Sequence, residues 1–448
     1  MAHTPSKQSK GPSWLKELIE LPKGEAQPLA WSFLCFFSIL CGYFLLRPIR
    51  DEMAIQVGPE HIPDLFVYTF LVVLTTVPLF GWITKRLSRR IFMPLVFGFF
   101  ISNLLVFYAI VDTPFADVIR IERVFFVWIS VFNMFIVALF WSFMNDLFNK
   151  EQARRLFGYI AAGGSAGAIV GPFITASLIQ DLGLKELLLV AAGLLSMALV
   201  SILRLFRWAR QHDNKAIAIN SPTPIGGSIF EGLTLLRTQP YILGIGALTF
   251  LGTLAGTALY MYQAKVIGEL LSDSAQRTQL LSYMDMSINT LTLIFQAGVA
   301  RLAISRLGVG KVLLFMPVLS LIGFTALLIA PSAYLLIGLQ VLRRATGFGL
   351  NGPARETLYS VVDPQAKYKA KNFIDVSVVR GSDVLASSSV RSIASSFASF
   401  APIAIICMGI CSCWIVISHW LGRRYKTLYD APGTAAIGGS KNAETDTV

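Results

Sequence analysis

Charged residues are scarce in this chain of 448 residues: they make up only 14% of the sequence, whereas 54% of the residues are hydrophobic. Soluble proteins carry roughly 25% charged residues, so this composition indicates a membrane protein. The formal net charge of +12 does not point to nucleic acid. No basic run is interleaved with aromatic residues, as single-strand binding requires, and basic residues beside apolar spans are an ordinary product of membrane topology.

Signals for metal binding and enzyme chemistry are missing as well. The five cysteines fall in apolar runs without metal-ligand or disulfide spacing. The chain has no Walker phosphate-binding loop, which argues against an ATP-driven pump. Gly163 to Gly167 matches the G-x-S-x-G nucleophile pattern, but it lies in an apolar helical stretch without a well placed histidine. We therefore expect no enzyme activity, no cofactor and no metal site.

Long apolar runs are abundant. The first follows four N-terminal lysines and has no cleavage pattern after it, so we expect it to be retained as a span, with a small interfacial helix near residues 14–21 before it. Windows long enough to cross about 30 Å of hydrocarbon occur at residues 28–46, 63–84, 91–111, 121–146, 157–180, 185–206, 241–264, 279–304, 312–330, 332–354 and 401–421. Residues 372–399 would be a twelfth span, although they are too polar for hydropathy to detect.

The distribution of basic residues favours twelve spans over eleven. With the N-terminus inside and residues 372–399 crossing, 26 lysines and arginines fall in inside segments and seven in outside segments. With eleven spans, the cluster from Arg423 to Lys426 would lie outside and break the positive-inside bias. If residues 372–399 form a helix, one face about 80° wide carries Arg380, Asp383, Ser387 and Arg391. That face is expected to line a central cavity.

An internal repeat indicates two halves of six spans. The loop Arg86–Pro94 resembles Arg306–Pro317, and the loop Lys150–Phe157 resembles Asp363–Lys371. We therefore predict an all-α membrane protein with twelve transmembrane helices in two six-helix halves, in which an amphipathic segment from Ile229 to Leu236 lies in the linker. Its predicted units are a cytoplasmic N-terminal segment (1–27), a first half (28–206), a cytoplasmic linker (207–240), a second half (241–421) and a disordered cytoplasmic tail (422–448).

Several charged residues within or beside the spans are candidates for substrate binding or gating. Arg50 belongs to the charged run from Arg47 to Glu52, in which Pro48 is expected to interrupt the helix and expose backbone groups. The alternative is that this run forms an ion cluster at the headgroups. Asp146 ends the fourth span and could instead be solvated. Asp285 lies deeper, where a carboxylate needs a basic partner or a proton.

Two further sites complete the candidates. Arg343 and Arg344 form the deepest basic pair, and guanidinium groups match carboxylate or phosphate oxygens; alternatively, they pair internally with Asp375 or Asp383. Arg380 and Asp383 come from the polar twelfth span. Gly163, Gly167 and Gly171 recur every four residues, a spacing that lets two membrane helices approach closely.

Three motifs resemble the ATP/ADP translocase-type nucleotide transporters of the major facilitator superfamily. Leu46–Asp51 is similar to the family's Leu-Arg-x-x-Lys-Asp, Phe140–Asp146 to Phe-Trp-x-Phe-x-Asn-Glu, and Pro353–Tyr359 with Lys367–Asp375 to Lys-Glu-x-x-Tyr followed by Lys-x-Lys-x-x-x-Asp. The resemblance implies that four residues occupy the family's intramembrane charged positions: Arg50, Asp146, Asp285 and Arg380. Arg50 and Arg380 stand where the family has lysine, and Asp146 and Asp285 where it has glutamate.

From the residues and the resemblance together, we expect a multi-pass protein of the inner or plasma membrane with both termini cytoplasmic. It would be a monomeric secondary active transporter that works by alternating access and moves a small anionic solute, such as a phosphorylated compound or a nucleotide, as in ATP:ADP antiport. Two alternatives remain open at this point: a major facilitator transporter for a different small solute, and a membrane scaffold that transports nothing.

Overall fold

A computed structural model describes residues 24–84, 86–211, 229–397 and 399–431, and these residues form helices and short connections without a β-strand. The helices of the first half and the linker are α1 (Ala26–Val57), α2 (Ile62–Thr84), α3 (Arg89–Ile110), α4 (Pro114–Ile119), α5 (Ile121–Leu147), α6 (Lys150–Arg210) and α7 (Ile229–Thr238). Those of the second half are α8 (Pro240–Leu270), α9 (Ser274–Ile294), α10 (Ala300–Leu307), α11 (Val309–Ile329), α12 (Ala333–Thr346), α13 (Gly352–Leu358), α14 (Pro364–Phe373), α15 (Val379–Ser396) and α16 (Ala401–Tyr429).

The long helix α6 contains two spans. Gly183 interrupts it with φ 82° and ψ 178°, a left-handed conformation that glycine adopts without steric cost. The arms 150–182 and 184–210 are each long enough to cross about 30 Å of hydrocarbon at 1.5 Å per residue. The predicted fifth and sixth spans therefore correspond to one helix that reverses direction at a glycine.

Three spans of the second half contain a π-helical turn. These turns, Phe295–Val299, Gly347–Asn351 and Ile374–Val378, join α9 to α10, α12 to α13 and α14 to α15. The third one makes residues 364–396 a continuous helical segment, as predicted for the polar stretch. Of the described helices, nine are long and apolar enough to be candidate spans by composition. With the two arms of α6 counted separately and the α12–α13 and α14–α15 segments added, the described residues contain twelve spans in two halves of six.

Several predicted details differ in the structure. Pro48 does not interrupt the first helix, because α1 continues through it to Val57. The last helix extends to Tyr429, so the stretch expected to be a tail begins inside a helix. The amphipathic linker segment forms α7, as expected. The interfacial helix near residues 14–21 lies outside the described residues.

The glycine stripe of α6 packs against α1. A Cβ atom at Gly163 would lie 2.7 Å from the carbonyl oxygen of Phe33, and Cβ atoms at Gly167 and Gly171 would overlap with the carbonyl oxygens of Phe37 and Cys41. Both helices thus present every fourth residue to the other. The absence of side chains on α6 lets the two backbones approach closely, which sets the position of α1 in the first half.

Because twelve spans bring the chain back to its starting side, α1 begins and α16 ends on the same side of the membrane. We call this the terminal side and the opposite one the far side. The loops after α1, α8, α11 and α15 lie on the far side, as does the turn at Gly183.

Candidate substrate site

An ion-pair cluster joins the two halves near the middle of the membrane. Oδ1 of Asp285 on α9 lies 3.3 Å from Arg344 on α12 and 3.5 Å from Arg47 on α1. The Asp285 side chain is 1% exposed and each arginine side chain 13%. Each residue lies ten or eleven positions from the far-side end of its helix, or about 15 Å at 1.5 Å per residue. Where the helices end at the hydrocarbon boundary, this distance corresponds to about half of the hydrocarbon thickness.

The polar atoms of this cluster are incompletely paired. The second carboxylate oxygen of Asp285, Nε of Arg47 and Nη2 of Arg344 are buried and have no hydrogen-bond partner among the described residues. Two guanidinium groups thus share one carboxylate oxygen, which leaves a surplus of one positive charge. Since an uncompensated charge at this depth is costly, the cluster is suited to accept an additional anion.

Arg50 lies one turn beyond Arg47 on α1, next to the cluster. Nη2 of Arg50 is 2.5 Å from Oδ1 of Asp51, and its guanidinium lies 5.1 Å from the ring centre of Phe126. The hydroxyl of Tyr260 on α8 donates to the same Asp51 oxygen at 3.2 Å. Arg50 is therefore held against an aromatic face by a neighbour on its own helix, which is itself bonded to the second half.

On α15, Arg380 and Asp383 pair with each other. Their charged atoms are 3.6 Å apart, and the hydroxyl of Thr257 on α8 donates to Asp383 at 2.6 Å. Asp383 is buried, whereas 27% of the Arg380 side chain is exposed. The carboxylate therefore offsets the Arg380 charge and ties α15 to α8 within the second half.

The other candidates lie elsewhere. Arg343 is buried and donates to the side-chain oxygen of Gln340, at 3.3 Å from Nε. The alternative of internal pairing with Asp375 or Asp383 is wrong in its partners: Arg344 pairs with Asp285, and Asp375 pairs with Arg355 at 3.4 Å.

Asp146 lies at the terminal-side end of α5, away from the central cluster. It is 2.5 Å from Arg89 on α3, an ion pair within the first half. The expectation that it could simply be solvated does not hold, because the Asp146 side chain is only 19% exposed.

Sequence reasoning did not predict that Arg47 pairs with Asp285. Its position three residues before Arg50, in the same charged run, was the available signal, because residues i and i+3 lie on one helix face. The run was expected either at a helix break or at the headgroups. In the structure its members are largely buried within a continuous helix, and Glu52 is 0% exposed.

A second set of contacts joins the halves on the far side. Arg277 on α9 donates to both carboxylate oxygens of Glu52, with Nε 2.8 Å from Oε2. Arg391 pairs with Asp64 across α15 and α2 at 2.9 Å, an outward position rather than the central one predicted for it. We call these two ion pairs the far-side gate.

Further along the same interface, amide groups of the two halves hydrogen-bond directly. The side chain of Gln180 on α6 donates to that of Gln279 on α9 at 2.7 Å. Gln279 in turn donates to the backbone carbonyl of Ala176 at 2.8 Å. The arm of α6 that ends at Gly183 is therefore tied to α9 on the far side.

Solved transporter structures resemble this fold along nearly their full length. A bacterial homologue of the iron transporter ferroportin has a TM-score of 0.64 at 13% identity, covering 90% of this chain and 99% of its own. The POT family transporter PepTSo has a TM-score of 0.64 at 12% identity, with 89% and 98% covered. The nucleoside transporter NupG has a TM-score of 0.57 at 15% identity, with 92% and 100% covered.

These identities are low, so the structural similarity concerns the fold. No curated protein matches the sequence. Residues 31–370, which include most of both halves, match the Major Facilitator Superfamily. The chain is thus a multi-pass integral membrane protein, and it belongs to the major facilitator superfamily of transporters.

Proposed function

We propose that this protein is a secondary transporter for a small anion and that the cluster of Arg47, Asp285 and Arg344 is its substrate site. The observation that carries the proposal is the shared carboxylate oxygen: two guanidinium groups from opposite halves contact one oxygen atom and keep nitrogens without a partner. Guanidinium groups bind carboxylate and phosphate oxygens through two parallel hydrogen bonds. A bound anion would contact both halves at once.

The site and the gate together support alternating access. The far-side gate lies between the central cluster and the far-side solution, so it must open for a solute to leave in that direction. Gating contacts that break as the two halves rock around a central site are a recurring arrangement in secondary transporters. We infer that residues 28–206 and 241–421 are the moving units. The excess of basic residues in the predicted inside segments supports a cytoplasmic terminal side in the inner membrane.

A phosphorylated solute is the leading candidate. The motifs that contain Arg50 and Asp146 resemble those of nucleotide exchangers, and the surplus positive charge of the cluster suits a phosphate group. Arginine and lysine present different donors, so the replacements at Arg50 and Arg380 favour a phosphorylated anion other than the ATP/ADP pair.

A neutral solute is the second candidate, and one observation favours it. Asp51, Asp285 and Asp383 each already pair with an arginine, so most of the positive charge at the centre is compensated within the protein. A transporter of this kind would bind its solute by hydrogen bonds, and the ion pairs would serve only to couple the two halves.

Counterflow in proteoliposomes tests the proposal. Vesicles preloaded with a phosphorylated solute should accumulate its labelled form, and Arg344→Gln should abolish accumulation. Arg237→Gln, which removes an exposed arginine of α7 on the terminal side, is the matched control and should transport as the wild type does. Absence of flux for every solute would support a scaffold, and equal flux in both variants would remove Arg344 from the site.

A further inference from the structure

A large groove lies on the outer surface of the first half, remote from the central cluster. It is a groove of about 870 Å³ between α2, α3 and α5. Its walls are aliphatic and aromatic side chains, among them Phe80, Phe99, Trp128 and Phe135. Arg123 is the one charged residue that lines it, and it forms no ion pair with any other residue that the structure describes.

The position of Arg123 suggests the chemistry of the occupant. Arg123 lies in the first turn of α5, at the far-side end of this span, where lipid headgroups are expected. From Arg123 to Phe135 the groove follows α5 for about 18 Å at 1.5 Å per residue. One leaflet of hydrocarbon is about 15 Å thick, so the groove has the length of a single acyl chain with a headgroup at the arginine.

A hydrogen-bond donor occurs at an intermediate depth. Trp128 stacks on Phe132, with ring centres 5.6 Å apart, and its buried indole N–H has no acceptor within the described part of the chain. Trp128 follows Arg123 by five residues, about 7.5 Å along the helix axis. An ester carbonyl of a glycerolipid lies below its phosphate, at about the depth of Trp128, and the buried N–H would donate to it after a small shift of the ring.

We propose that the groove binds one anionic phospholipid of the far-side leaflet, with its phosphate on Arg123 and an acyl chain between α2, α3 and α5. The apolar walls contact the acyl chain by van der Waals packing, because lipid and detergent tails are as apolar as the groove and leave no hydrophobic driving force. The arginine selects an anionic headgroup over a zwitterionic one. The lipid would fill the space between α2 and α3 and stabilise the first half.

Native mass spectrometry of the purified full-length protein tests the proposal. After incubation with equal amounts of phosphatidylglycerol and phosphatidylcholine, the wild type should retain phosphatidylglycerol preferentially. Arg123→Gln should lower this retention about fivefold, the effect of one arginine beside an anionic headgroup, whereas Arg123→Lys should preserve it. Arg120→Gln removes an exposed cation of the same surface that does not line the groove and should retain lipid as the wild type does.

A variant that fills the groove provides an independent test. Val127 lines the cavity, and Val127→Trp should displace the acyl chain and reduce retention without changing any charge. Equal retention of the two lipids, an equal loss with Arg120→Gln, or full retention in Val127→Trp would overturn the proposal. A dimer that dissociates in Val127→Trp would assign the groove to a second copy of the chain and would likewise overturn it.

Discussion

Arg47 and Asp285 form an ion pair across the two halves of the transporter, with a guanidinium nitrogen of Arg47 3.5 Å from Oδ1 of Asp285. Arg344 contacts the same oxygen from within the second half at 3.3 Å. Asp285 is therefore the carboxylate on which two buried positive charges depend. Its replacement should affect both the stability of the protein and the junction between its halves.

Asp285→Asn should destabilise the protein strongly, because it leaves two buried guanidinium groups without a counter-charge. Removal of one partner from a buried ion pair costs about 3–5 kcal/mol. The thermal unfolding midpoint in detergent should fall accordingly. The double variant Asp285→Asn/Arg344→Gln has the same local net charge as the wild type and should recover part of the loss. A double variant less stable than Asp285→Asn would show that charge balance does not hold the cluster together.

The two ion pairs of the far-side gate should differ in strength. Glu52 is 0% exposed and Arg277 12%, whereas Asp64 and Arg391 are 34% and 42% exposed, and exposed pairs contribute only about 0–1 kcal/mol. The gate should therefore open far more often in Arg277→Gln than in Arg391→Gln.

Crosslinking of cysteines introduced at positions 180 and 279, in a Cys413→Ser background, measures how often the gate is open. The crosslinking reaction should be slower in Arg277→Gln than in Arg391→Gln. Equal rates in both variants would contradict the burial argument.

The close packing of α1 on α6 makes Gly167 intolerant of a methyl group. A Cβ atom there would overlap with the carbonyl oxygen of Phe37, and overpacking of this kind costs about 1–3 kcal/mol. Gly193 on the second arm of α6 is the matched control, because nothing lies within 4 Å of a Cβ atom at that position. Gly167→Ala should lower the unfolding midpoint, while Gly193→Ala should leave it unchanged or raise it slightly, since alanine favours helix by about 1 kcal/mol.

The number of spans could be predicted from the sequence, even where hydropathy alone failed. Charge topology and the repeat both predicted a crossing at the polar segment that contains Arg380 and Asp383, and this segment is helical in the structure. The glycine stripe at Gly163 and Gly167 likewise predicted close helix contact, which the structure confirms.

The partners within the site could not be predicted. Apolar windows and basic loops indicate where the chain crosses the membrane, but not the rotation of each helix about its own axis. Asp285 was expected to need a basic partner, yet the choice of Arg47 and Arg344 depends on how α1, α9 and α12 face one another. Pro48 also misled the prediction, because a long helix packed along its length tolerates a proline that would end an isolated one.

The central claim is that Arg47 and Arg344 bind an anion, and a thermal-shift comparison of matched ligand pairs tests it most directly. Purified wild type and Arg344→Gln would be measured with two matched pairs, ADP with adenosine and glucose 6-phosphate with glucose. Inorganic phosphate would be measured alone. We predict that a phosphorylated member raises the unfolding midpoint of the wild type, that its unphosphorylated counterpart does not, and that Arg344→Gln loses the shift. Equal stabilisation by both members of a pair, or an unchanged shift in Arg344→Gln, would contradict the account.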